Sequence, residues 1–120
     1  FKQQNKDRDM ANKRQLKKAI CRTCGEVAGE CIFLAETIGD EAQYENWDKL
    51  VLDMALLQSE AVNRVSEPFK QLPKDFASIK EYKKARNAHV KAVVNGITEL
   101  MTKALEEVAK KMNELMPKKA

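Results

Sequence analysis

The stretch Ile20–Ile38, ICRTCGEVAGECIFLAETI, decides the fold. Its residues Ile20, Cys24, Val27, Cys31, Leu34 and Ile38 recur at intervals of 4, 3, 4, 3 and 4. On a helix this repeat draws the six side chains into one narrow apolar line, which other helices must cover to keep it from water. A first helix is therefore predicted over residues 8–38. Gly25 and Gly29 interrupt it. Each costs about 1 kcal/mol relative to Ala inside a helix, so the pair is expected to mark a close helix–helix approach. Gly39 suits the left-handed residue that follows a helix end. Asp40, with Gln43 three residues on, resembles a capping box that opens the next helix.

Further along, Trp47, Leu50, Val51, Met54, Leu57, Ala61 and Val65 trace one apolar face. They predict a second helix over residues 41–66. Ser66 is expected to cap a new turn, with Pro68 in its first turn, where no amide hydrogen is needed. Pro73 repeats the interruption. Ser78-Ile79-Lys80-Glu81 fits the S-x-x-E pattern of a helix start, and a third helix is predicted over residues 76–116. Its stripe consists of Ile79, Tyr82, Val90, Val93, Ile97, Leu100, Ala104, Val108, Met112 and Leu115, interrupted by Arg86. Asn95-Gly96 is a point where it can bend, and Pro117 ends it. The expected fold is all-α: an antiparallel bundle of three long helices with a proline kink or break near residues 66–78. It forms one domain over residues 1–120, with residues 1–7 and 117–120 as tails.

Composition agrees. Charged residues make up 33% and aromatics 6%, and there are only four Gly and three Pro in 120 residues. A sheet needs more turns than these can supply. There is no uncharged apolar run of about 18 residues, so no membrane span is expected. The polar start carries no signal-peptide pattern, and a first residue of Phe fits a processed or excised chain. Three cysteines without a signal peptide point to a reducing compartment. The expected location is the cytoplasm, including the periphery of a membrane.

The net charge of +4 conceals a division. Residues 1–20 hold seven Lys/Arg and two Asp/Glu; residues 21–67 hold three and ten; residues 68–120 hold twelve and six. An acidic middle between basic flanks implies that segments pair with one another or meet an anionic partner.

Little here suggests catalysis. Cys21, Cys24 and Cys31 with the single histidine, His89, could supply a Cys3His zinc set. No second C-x-x-C follows, however, and Cys24 and Cys31 occupy seam positions, where cysteine packs as a small apolar residue. His89 is expected to be a half-exposed surface imidazole. The carboxylates are scattered, no Glu-x-x-His pair of the di-iron kind occurs, and phosphate-binding glycine loops and nucleophile elbows are absent. No enzyme activity and no cofactor are expected.

The basic stretch says more. At about 100° per residue, Lys80, Lys83, Lys84 and Lys91 fall with Asn87 on one side of the third helix. Ile79, Tyr82, Val93 and Ile97 fall on the adjoining, inward face. Lysines are point charges suited to diffuse anionic surfaces. The expected partner is anionic phospholipid or an acidic protein surface, together with self-association. Nucleic acid is not expected, because the net charge of +4 is modest. A protein-interaction module without a lipid role is the alternative. A third possibility is a carrier of an apolar ligand lined by Met54, Met101, Met112 and Met116.

Three stretches, AETIGD (35–40), VSEPF (65–69) and DFASIKEYKKA (75–85), resemble in order and spacing the BAR domains of the endophilin and amphiphysin type. The likeness covers about residues 16–100. It implies a curved helical dimer in which a proline kink shapes the module and basic residues contact phospholipid headgroups. Lys80, Lys83, Lys84 and Lys91 are the candidates for that contact. The chain is shorter than the family's usual module and lacks its third long helix, unless it is a fragment or the break at 66–78 makes a three-helix fold.

Overall fold

The computed structural model describes residues 2–117, with side chains from residue 12 onward. Three α-helices account for most of it: α1 Lys2–Ile38, α2 Tyr44–Val65 and α3 Ile79–Leu115. Short 3-10 turns at Glu41–Gln43 and Pro73–Asp75 lie in the two connections, and no strand occurs among the described residues. The molecule is a rod of 67 × 21 × 20 Å.

α2 is the shared element. It packs on both α1 and α3, while α1 and α3 have little contact with each other. Lys111 Nζ lies 3.9 Å from Asp53 Oδ2. A Cβ on Gly96 would lie 4.0 Å from the Arg64 guanidinium. Low numbers on α2 therefore meet high numbers on α3, and the two helices run antiparallel. The core is the expected one. Trp47, Leu50, Met54, Leu57, Ala61 and Val65 of α2 are buried between Ile20, Cys24 and Cys31 of α1 and Ile97 and Val108 of α3. Val27, Leu34, Ile38 and Val51 are half-buried against this cluster. Each fully buried side chain of Leu size contributes about 1.5–3 kcal/mol, so the bundle is held mainly by this interior.

The helix ends follow local chemistry, with some departures from expectation. Gly39 adopts φ +68°, as a left-handed helix terminus requires. The Asp40 carboxylate accepts the Ala42 amide at 3.2 Å. Gln43 does not complete a capping box; its side-chain carbonyl accepts from Asn46 at 2.6 Å. Ser78 does cap α3, with its hydroxyl accepting the Glu81 amide at 3.2 Å. Ser66 closes α2 instead of opening a new turn, its amide donating to the Asn63 carbonyl at 3.2 Å. Pro73 begins a 3-10 turn that is locked by Asp75, whose carboxylate accepts the Leu72 amide at 2.9 Å. The prolines thus break the chain into separate helices.

Gly25 and Gly29 are exposed, and a Cβ on either would meet nothing within 4 Å. They lie on the side of α1 turned away from the seam and mark no close approach. The helix begins at Lys2, so residues 2–7 are not a tail. Of the expected tails, residues 1 and 118–120 lie outside the described residues.

Candidate anion-binding surface and adjoining groove

The difference in helix length builds the site. α2 has 22 residues and α1 and α3 have 37 each, or about 33 Å against about 55 Å. Past Val65 the outer helices run on without the central one. The connection 66–78 fills part of this space by folding onto the first turns of α3. Phe69 lies with its ring centre 5.8 Å from Tyr82 and 5.4 Å from His89. Phe76 stands edge-on to Tyr82 at 5.7 Å. His89 Nε2 is 3.5 Å from the Glu67 carbonyl oxygen. Such ring contacts are worth about 0.5–1.5 kcal/mol each beyond the area they bury, and they fix the start of α3. His89 is half-buried, as expected, but within an aromatic cluster.

This anchored segment carries the lysine row. Lys80, Lys83, Lys84 and Lys91 are all exposed, and none has an ion-pair partner among the described residues. Tyr82 and Val93 turn partly inward and Ile97 fully, as the periodicity implies. Ile79 does not: it is 63% exposed, and Val90 is 48% exposed. Both lie in line with the stripe, but α2 has already ended and cannot cover them.

Sequence reasoning missed a second basic row. Lys13, Arg14, Lys17, Lys18 and Arg22 cluster around Cys21 on α1. Its signal in the sequence is the excess of seven Lys/Arg over two Asp/Glu in residues 1–20, which by itself assigns no face. The two rows occupy the same end of the rod, because Lys13 of α1 and Arg86 of α3 line one groove. Its volume is about 310 Å3, and its apolar lining comes from Leu16, Val65, Phe69, Val90, Val93 and Val94. The Phe69 contribution was likewise not anticipated. The aromatic spacing Phe69, Phe76, Tyr82 was its only trace in the sequence.

The structure does not gather the Cys3His set. Cys24 and Cys31 are buried in the core while Cys21 is exposed, and His89 packs on Phe69. Burial pushes the Cys24 thiol up, with a further push from Cys21. Burial also pushes up Cys31, helped by Glu30. Among the described residues no three His, Cys, Asp or Glu side chains come together to hold a metal. The four methionines do not form a lining either. Met54 is in the core, Met101 and Met112 pack against it, and Met116 is exposed.

No family model matches the chain, and neither a curated protein nor a solved structure does. No helix among the described residues is long and apolar enough to cross a membrane.

Proposed function

We propose that this chain is a non-enzymatic helical scaffold that docks the basic end of its rod on an anionic membrane surface. One observation carries the proposal. The exposed lysines of α3, without ion-pair partners among the described residues, share an end of the molecule with the basic row of α1. Near an anionic leaflet each Lys or Arg contributes about 1 kcal/mol, so the four lysines of α3 supply about 4 kcal/mol before the α1 row is counted. The resemblance to BAR domains adds the lipid headgroup as the anionic partner. Pelleting with phosphatidylserine vesicles, and not with neutral ones, is the expected result. Changing Lys80, Lys83 and Lys84 together to Glu should abolish it, and raising the salt should weaken it steeply. Pelleting that ignores both lipid charge and these lysines would refute the proposal.

A second contact, with another protein or another copy of the chain, is favoured by Leu52 and Leu56. They stand one turn apart on α2 and are both more than half exposed. Sedimentation mass with and without the change of both residues to Ser tests whether they hold a dimer.

A further inference from the structure

The apolar groove at the basic end is distinct from the lysine row, and docking on a flat charged surface gives it no task. It has the three properties of a small-ligand site: a concave shape, a mostly apolar lining and a few polar groups at its edge. Leu16, Val65, Phe69, Val90, Val93 and Val94 form the lining. Val90 and Val94 remain 48% and 39% exposed beside it, which leaves apolar area for a ligand to cover. Lys13 and Arg86 stand at the edge on opposite helices. Lys83, three residues before Arg86 and seven before Val90, falls on the same face of α3. Glu67 is the one acidic residue among the described lining residues, and its backbone carbonyl faces His89.

We propose that this groove binds a single-chain anionic amphiphile, namely a fatty acid whose tail fills the apolar lining and whose carboxylate meets Lys13. The size sets the tail. At about 310 Å3 the groove is at the small end of ligand pockets, which suits a single alkyl chain. A partner helix, about 10 Å across, does not fit this space. An uncharged chain would fill the lining but leave Lys13 without a counterpart. This inference does not depend on the membrane proposal.

The experiment is calorimetric titration of the whole chain with dodecanoate kept below its micelle concentration. One saturable site is expected, with dodecan-1-ol binding more weakly by up to about five-fold, since a partly exposed charge pair is worth up to about 1 kcal/mol. Val94→Trp puts an indole into the groove from a partly exposed position and should weaken binding by about ten-fold or more; Val90→Trp repeats the block from a second residue, and circular dichroism checks that each variant folds. Lys13→Glu should weaken dodecanoate but not dodecan-1-ol. Changing Lys80, Lys84 and Lys91 to Glu should leave dodecanoate affinity unchanged while vesicle pelleting is lost, so the two proposals fail separately. The inference is overturned if dodecanoate shows no saturable binding tighter than about 1 mM. It is equally overturned if a folded tryptophan variant binds as well as the parent, or if Lys13→Glu or loss of the carboxylate changes nothing.

Discussion

Met54 and Leu56 are two residues apart on α2, yet the fold gives them opposite roles. Met54 is 1% exposed and Leu56 is 60% exposed. Met54→Ala removes three heavy atoms from the interior. Their transfer to water costs about 2.5 kcal/mol at about 0.8 kcal/mol per group, and the cavity left behind raises the loss to about 3 kcal/mol. A 120-residue domain has about 6–18 kcal/mol of stability in all, so this one change removes a sixth to a half of it. With a urea dependence of about 2 kcal/mol per molar, the unfolding midpoint should fall by about 1.5 M. Trp47, the only tryptophan, lies seven residues earlier on the same buried face and reports the transition by its fluorescence. Circular dichroism should follow the same curve. Leu56→Ala, measured at a concentration where sedimentation shows a monomer, is the control and should move stability by about 0.5 kcal/mol or less. Should Met54→Ala cost no more than Leu56→Ala, the assignment of the inward face of α2, and with it the three-helix core, is wrong.

The glycines give a prediction of mixed sign. Gly25→Ala and Gly29→Ala should each raise stability by up to about 1 kcal/mol, because both are helical with open space around the new Cβ. Gly39→Ala should lower it by about 1–2 kcal/mol, because φ +68° is costly for any residue with a Cβ. Thermal melts decide both, and destabilisation by Gly25→Ala would mean that a partner covers that face. Among the thiols, Cys21 should react promptly with a disulfide reagent at neutral pH. Cys24 and Cys31, enclosed and with their thiols pushed up by burial, should react only in denaturant, since the thiolate is the nucleophile. Peptide mapping that found Cys24 or Cys31 modified as fast as Cys21 would contradict this packing.

Seam residues such as Ile20, Cys24 and Cys31 were legible because a period near 3.5 is a property of one helix and needs no knowledge of its neighbours. The apolar face from Trp47 to Val65 was legible for the same reason. Ser78 could be read as a cap because its hydrogen bond spans three residues. What failed depended on a second helix. Ile79 and Val90 continue the stripe of α3, but whether they are covered depends on where α2 stops. Gly25 and Gly29 suggest close packing only if a neighbour lies on their side, and none does. The aromatic cluster around Phe69 joins residues up to twenty apart across an irregular connection, where no periodicity applies. The α1 basic row was visible as charge, but its nearness to the α3 lysines follows from the antiparallel turn at 66–78.

The division of charge along the chain becomes, in the folded rod, a separation in space. Residues 12–20 and the 68–91 segment share one end, while residues 21–53 and 92–115, with twelve Asp/Glu against five Lys/Arg, make up the rest of the rod. A body some 67 Å long with opposite signs toward its two ends has a large permanent electric moment along its axis. In the field of any charged layer it feels a torque as well as a pull, and it turns before it arrives. Orientation would then be set in free diffusion, at distances of a Debye length or more, and adding salt would randomise the angle of approach before it weakened the final contact.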